Sequence, residues 1–68
     1  MEFKFSERLD ELMEERKLSS VKLSKFIEVD CRTISRWRNG EMNPTIDKLF
    51  KLCDFFGVTA DYLLGRED

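Results

Sequence analysis

Two arginines four positions apart, Arg32 and Arg36, are well suited to reading the edge of a nucleic-acid base. A guanidinium fork can donate two parallel hydrogen bonds to O6 and N7 of guanine, which is the commonest specific base contact. Ser35 lies beside Arg36 and Asn39 follows it, and both residue types can read a base edge or hold a phosphate. Because four positions are about one helical turn, a helix would let both arginines reach successive base pairs.

The apolar pattern around these arginines predicts the helix that presents them. Asp30 is a typical N-cap residue, Ile34 and Trp37 are the apolar positions that follow it, and Asn39-Gly40 provides a stop. At about 100° per residue, the core side of this helix lies between Ile34 and Trp37. The residues on the opposite side, facing solvent or DNA, are Arg32, Ser35, Arg36 and Asn39.

A second short helix precedes this one, and only the turn Glu28-Val29 separates them. Its N-cap is Ser19, and its apolar positions are Leu23, Phe26 and Ile27. Two short helices joined so tightly form a helix-turn-helix unit, here over about residues 19–39. The second helix of such a unit can enter a DNA major groove.

The rest of the chain adds three helices, so we expect an all-α domain of five helices with the helix-turn-helix at the second and third. The first is predicted to begin at an N-cap Ser6, the fourth at Thr45 and the fifth at Thr59. The predicted buried stripes are Leu9, Leu12 and Met13 in the first helix and Ile46, Leu49, Phe50, Leu52, Cys53 and Phe56 in the fourth.

A set of short motifs carries a resemblance to a known family. These motifs are Leu18-Ser19-Ser20, Leu23-Ser24, Val29-Asp30, Thr33-Ile34-Ser35-Arg36-Trp37, Asn39-Gly40, Asn43-Pro44 and Phe56-Gly57-Val58-Thr59-Ala60-Asp61-Tyr62-Leu63-Leu64-Gly65. Over residues 6–65 the chain resembles the Cro/lambda-repressor-type helix-turn-helix family, also called the xenobiotic-response-element (XRE) family. The resemblance implies a lambda-repressor-like transcriptional regulator that binds double-stranded DNA, commonly a two-fold operator, as a homodimer.

The resemblance also implies which side chains touch DNA. Base contacts fall to Arg32 and Arg36 and to their neighbours Cys31 and Ser35. Phosphate contacts are implied at the start of the second helix and in the loop after Gly40. With the nearby basic and polar side chains added, the expected phosphate contacts are Ser20, Lys22, Lys25, Thr33, Arg38, Asn39 and Asn43.

Three features depart from the family pattern. Ser20 stands where glutamine is usual, which shortens the side chain that meets the phosphate. Glu28 stands where glycine is usual, and a left-handed residue there costs roughly 1 kcal/mol. Met13 and Arg38 replace a frequent arginine–glutamate pair. The stem of Arg38 is therefore expected to pack on the domain while its guanidinium group reaches a phosphate or an acid.

The net charge of −2 and the pI near 5.1 are not typical of a DNA-binding protein. The distribution of the charges along the chain nevertheless favours DNA binding. Residues 16–38 contain seven basic residues and two acidic ones, whereas the rest of the chain is acidic. A basic middle segment can offer a positive face to phosphates while the acidic remainder limits non-specific binding. Chance clustering of charges on a solvated surface is the alternative explanation.

Length and composition exclude several other classes. Sixty-eight residues make one domain, residues 1–68. Because the chain has no histidine, it has no Ser-His or Cys-His pair and no zinc-water site, so we expect no enzyme, metal or cofactor. Two cysteines are too few for a disulfide scaffold, and no apolar run is long enough to span a membrane. We therefore expect a cytoplasmic protein with no small-molecule ligand evident.

A phage- or prokaryote-type repressor is the function we expect, and a protein-interaction module is the alternative. Such a module, for instance an anti-repressor or antitoxin-like subunit, would carry acidic or apolar residues where this sequence has Arg32 and Arg36. Cys31 near a helix N-terminus could act as a thiol sensor, but a small groove-facing side chain is the simpler interpretation.

A homodimer is expected because a two-fold operator presents two half-sites to two copies. On the fourth helix Phe55 points about 140° away from the core direction, which predicts an exposed aromatic side chain. The short last helix with Leu63 lies beside it. We therefore expect Phe55 and Leu63 in or near the dimer interface.

Overall fold

Five helices form in the computed structural model, which describes residues 4–66, and this confirms the all-α fold. α1 packs on α3 and α5, α2 packs on α3 and α4, and α4 packs on α5. The helices are α1 (Phe5–Glu15), α2 (Ser20–Ile27), α3 (Cys31–Arg38), α4 (Ile46–Phe56) and α5 (Ala60–Leu64).

Side-chain hydrogen bonds begin four of the five helices at the predicted residues. The Ser19 hydroxyl accepts a bond of 3.1 Å from the backbone N–H three residues later, and the Asp30 carboxylate accepts one of 2.8 Å from the N–H two residues later. Thr45 and Thr59 cap α4 and α5 in the same way as Ser19. Each such cap contributes about 1 kcal/mol, so the helix starts are fixed locally.

The start of α1 differs from the prediction, because the helix begins at Phe5 and Ser6 lies inside it. Lys4 occupies the N-cap position and makes no side-chain cap bond. Tertiary packing replaces the cap: the buried ring of Phe5 meets Trp37 edge-on with centroids 6.0 Å apart. In addition, the N–H of Lys4 donates to the carbonyl of Leu64 at 3.2 Å. The prediction that Ser6 caps α1 is therefore wrong.

The core gathers one stripe from each helix and one residue from the turn before α3. Burial raises the pKa of the Cys53 thiol, and the nearby Asp54 carboxylate raises it further, so this cysteine stays protonated as a core side chain. The buried members of the core are Phe5, Leu9, Leu12, Met13, Leu23, Ile27, Val29, Ile34, Trp37, Leu52, Cys53, Phe56 and Leu63.

Three residues predicted for the core lie at the surface instead. Phe26 is 64% exposed, Ile46 70% and Phe50 57%. In a domain this small each helix has neighbours on only part of its circumference, so the flanks of the apolar stripes stay uncovered. Phe26 stacks against Phe55 with ring centroids 5.3 Å apart. The prediction that Phe55 is exposed is wrong, because this contact leaves its side chain half-buried.

Glu28 has a left-handed backbone, with φ 57° and ψ 41°, as the comparison with glycine at this position predicted. A residue with a Cβ in this region is strained by about 1–2 kcal/mol, whereas glycine adopts it without steric cost. Glycine also loses about 0.5–1 kcal/mol more backbone entropy on folding, which offsets part of the gain. The net benefit of glycine here is therefore about 0.5–1 kcal/mol.

We expect Glu28→Gly to raise the free energy of unfolding, measured by urea denaturation, by about 0.5–1 kcal/mol. Glu11→Gly is the matched control, because it makes the same change in the right-handed interior of α1. This control should lower the free energy of unfolding by about 1 kcal/mol. Equal destabilisation by both substitutions would contradict the assignment of strain to Glu28.

Candidate nucleic-acid interface

A three-residue turn fixes the direction of α3 relative to α2. Glu28 reverses the chain through its left-handed backbone, Val29 is buried in the core, and Asp30 caps the first turn of α3. These three residues set the angle between the two helices without any long connection. As a result, one side of α3 is held against the domain and the other side faces solvent.

The outward side of α3 carries the side chains that the sequence assigned to base contacts. Ile34 and Trp37 are 0% and 1% exposed, so they set the core direction of the helix as predicted. The position of the assigned side chains on one exposed face is confirmed, while their contacts with bases stay a prediction. They are Arg32, Ser35 and Arg36, all exposed, and Cys31, which is half-buried at the first turn.

On one flank of α3, Arg38 joins three helices. Its Nε donates to Oδ1 of Asp10 on α1 at 2.8 Å, and a terminal nitrogen lies 2.6 Å from the same oxygen. The other terminal nitrogen donates to Oγ of Ser20, the first residue of α2, at 3.3 Å. Asp10 is therefore the acid that Arg38 reaches, while a contact between Arg38 and a phosphate stays a prediction. Ser20 accepts from Arg38 and keeps its own O–H to donate elsewhere.

On the other flank of α3, an open depression of about 310 Å³ separates this helix from the first turn of α4. Two residues expected to contact phosphate, Thr33 and Asn43, line it together. Lys48 of α4 adds a positive charge on the same surface, and Glu28 and Asp30 line it as well. The structure thus brings Thr33 and Asn43 into one group, with a lysine that the sequence analysis did not assign.

The remaining residues expected to contact phosphate lie at the surface. Lys22 and Lys25 are exposed on α2, and Asn39 is exposed immediately after α3. Polar and basic side chains therefore lie on both sides of the outward face of α3. This arrangement fits a major groove about 12 Å wide, because the two phosphate backbones border the groove on either side.

The two residues expected at a dimer interface have different surroundings. Leu63 is 0% exposed, so its side chain is fully covered within one copy and the prediction for it is wrong. It was misplaced because α5 is only five residues long, too short for its apolar face to be derived from periodicity. Phe55 is half-buried between Phe26 and Phe56, and its ring centroid is 5.0 Å from that of Phe56.

Sequence reasoning missed two residues of this interface, Asp10 and Lys48. Asp10 belongs to α1, and no local pattern pairs it with α3. A signal for it existed: Arg38 stands where the family has a glutamate paired with an arginine at position 13, so Arg38 needs an acid nearby, and Asp10 lies one turn before Met13. Lys48 lies outside the basic segment 16–38, and only the packing of α4 beside α3 brings it to the interface.

Other functional features are absent from the described part of the chain. Within residues 4–66, no group of three or more cysteine, aspartate or glutamate side chains is placed to hold a metal ion. None of the five described helices has the length and apolar character needed to cross a membrane.

Two short helices around a tight turn, with arginines on the outer face of the second, define the class of helix-turn-helix DNA-binding domains. A family model described as "Helix-turn-helix" matches residues 9–63. The chain belongs to this family, in its Cro/lambda-repressor or XRE type, whose members are DNA-binding transcriptional regulators.

Individual proteins of known role are similar to the chain. The HTH-type transcriptional activator BcrR of Enterococcus faecalis is 33% identical over 64 residues, which are 94% of this chain and 31% of that protein. The 26 kDa repressor protein of Escherichia phage HK022 is 41% identical over 46 residues, 68% of this chain and 20% of that protein. The chain therefore spans a third or less of the length of these relatives.

A solved structure has the same fold. The crystal structure of a transcriptional regulator from Listeria innocua superposes with a TM-score of 0.91 at 29% sequence identity. The superposition covers 100% of this chain and 64% of that one. The five-helix arrangement is thus shared with a regulator that is longer than this chain.

Asp10→Asn tests whether the link from Asp10 through Arg38 to Ser20 prepares the interface for a phosphate. If a bound phosphate lies on the order of 8 Å from Asp10, loss of this negative charge favours binding by about 0.5 kcal/mol in water and by less with salt. Loss of the fixed position of Arg38 costs about 0.5–1.5 kcal/mol on binding. We therefore expect DNA affinity, measured by fluorescence anisotropy, to fall about two- to fivefold.

Glu14→Gln is the control, because it removes the same charge from an exposed position of α1. Its affinity for DNA should stay equal or rise slightly. If Asp10→Asn strengthens binding as much as Glu14→Gln does, Asp10 acts only as a repelling charge.

Proposed function

We propose that the chain is a sequence-specific repressor of phage or prokaryotic type that reads a palindromic operator by placing α3 in the major groove. One observation carries the proposal: Arg32 and Arg36 are exposed on the side of α3 opposite the buried Ile34 and Trp37. The same observation disfavours a pure protein-interaction module, because that role predicts acidic or apolar residues on this face.

Arg32 and Arg36 would supply most of the sequence discrimination. A bidentate pair between arginine and guanine is worth about 1–3 kcal/mol of discrimination against the wrong base. Cys31 and Ser35 are small neighbours on the same helix, so they would let α3 approach the base edges closely. Ser35 adds a hydroxyl that can donate or accept a hydrogen bond.

The two flanks of α3 would hold its register by contacting phosphates on either side of the groove. On the first flank, Ser20 would donate its hydroxyl while Arg38 orients it and adds positive potential. On the second flank, Thr33 and Asn43 lie with Lys48 along the depression beside α4. Such contacts carry no sequence information, but they position the reading face. The exposed side chains of Lys22, Lys25 and Asn39 would also contact phosphates.

Two copies are needed for useful specificity. α3 has eight residues, so it is about 12 Å long and meets only a few base pairs. A genome offers about a million or more competing sites, which a few base pairs cannot exclude. Two copies on half-sites about one helical turn apart would double the number of base pairs that are read. A homodimer that covers an operator overlapping a promoter would exclude polymerase by its bulk alone.

Selection from random duplex DNA by the purified protein tests this function. We expect a palindromic consensus whose half-sites are about 10 base pairs apart, centre to centre. Arg32→Ala and Arg36→Ala should each weaken specific binding by about 1–3 kcal/mol and relax one base position per half-site. Each loses bonds to a base edge, which makes that position degenerate.

The control variant is Arg66→Ala, which removes an exposed arginine beyond α5. It should keep the wild-type consensus and affinity. An unchanged consensus in both α3 variants would show that bases are not read by this face.

A further inference from the structure

One exposed side of α4 combines apolar and charged residues at the same spacing. Ile46 and Phe50 are 70% and 57% exposed and lie four positions apart, so they are neighbours on one side of the helix. Asp47 and Lys51 are also exposed, also four apart, and lie on the adjoining side. We call these four residues the α4 stripe.

The α4 stripe differs from the other exposed apolar surface of the protein. Phe26 is 64% exposed, more than Phe50, but its ring stacks on Phe55 within the same copy. No ring contact of this kind covers Phe50 among the described residues, and Ile46 is the most exposed large apolar side chain described. Adjacent exposed apolar side chains bordered by charges are typical of a surface that another molecule covers.

We propose that the α4 stripe is the surface on which a second copy of this chain docks, with the two α4 helices packed antiparallel. The inference rests on the proposed reading of a two-fold operator and names the contact that relates the two copies. It replaces an interface around Phe55 and Leu63.

The stripe is complementary to itself under a two-fold axis. In an antiparallel pair, Ile46 lies opposite Phe50 of the second copy when the axis passes level with residue 48. Asp47 lies opposite Lys51 of the second copy when the axis passes level with residue 49. The two requirements differ by one residue, so an axis midway between them leaves each pair only about 1.5 Å out of level, which side chains can span. Each apolar and each ionic contact then occurs twice, as an isologous interface requires.

Other ways of pairing the stripe are less favourable. A parallel arrangement in register would put Asp47 and Lys51 against Ile46 and Phe50 of the second copy, so charged side chains would be covered by apolar ones. Because the axis passes level with residues 48–49, the paired helices overlap only over about residues 46–51, so the helix dipoles do not decide between the pairings. The charge pattern therefore selects the antiparallel pairing.

The size of the stripe indicates that the dimer is weak without DNA. α4 has 11 residues and is about 16 Å long, so the contact is small beside the roughly 1,200–2,000 Å² of a standard stable interface. On a palindromic operator, two copies are held side by side at high effective concentration, and a small contact then suffices for cooperativity.

Phe50→Ala tests the proposal against the matched substitution Phe26→Ala, since both change one exposed phenylalanine. Sedimentation equilibrium measures self-association, and titration of palindromic and half-site duplexes measures DNA binding. We expect Phe50→Ala to weaken self-association about tenfold or more and to abolish cooperative filling of the palindrome. Affinity for the half-site duplex should not change. Phe26→Ala should match the wild type in all three measurements.

Charge reversal tests the pairing independently of the aromatic contact. Asp47→Lys and Lys51→Asp should each weaken self-association about threefold or more, since each places like charges together in both copies of the contact. The variant that carries both changes should return to within about twofold of the wild type, because the ion pairs re-form in reverse. Thermal unfolding of each variant confirms that the fold is retained.

Three outcomes overturn the proposal: a wild type that is monomeric in solution and fills both half-sites independently, an effect of Phe26→Ala larger than that of Phe50→Ala, or a double charge reversal no better than the single ones. Failure of the proposed function looks different. In that case the wild type would bind no half-site duplex, while sedimentation would still decide the role of the α4 stripe.

Discussion

Burial of Ile34 and Trp37 is the interaction on which the rest of the structure depends. An isolated eight-residue helix is marginal in water, so α3 exists because one side of it is packed. The ring of Trp37 contacts the ring of Phe5 at the start of α1, which ties α3 to the first helix of the chain. Once these two side chains are fixed inside, helical geometry leaves Arg32 and Arg36 outside. Stability and the proposed DNA recognition therefore depend on the same residues of α3.

The electrostatic organisation suits the proposed binding of DNA, a polyanion, by a chain whose net charge is negative. Seven of the twelve basic residues lie within residues 16–38, and α1 carries a large share of the acidic ones. Asp10 is an acid at the interface itself, and it holds Arg38 so that Arg38 reaches Ser20. A negative charge there serves to orient a positive one. The acidic surface elsewhere disfavours non-specific attachment, since most of such attachment is electrostatic.

Local rules predicted more of this structure than packing rules did. The caps at Ser19, Asp30, Thr45 and Thr59 were predictable, because each depends on one side chain and the next turn. The outward face of α3 followed from two residues that are unambiguously apolar. Periodicity failed at Ile46 and Phe50, because it gives the direction of a stripe but not how far neighbouring helices extend over it. The link between Asp10 and Arg38 joins residues 28 positions apart, which no local rule reaches.

The central claim is that the outward face of α3 meets the bases while its flanks meet phosphates. Backbone amide NMR spectra, recorded while a half-site duplex of the selected operator is added, test it most directly. The account predicts the largest chemical-shift changes in residues 31–39, at the start of α2 and around residues 43–45, with little change in the outer residues of α1. Large changes along α1 or α5, with α3 unaffected, would contradict it.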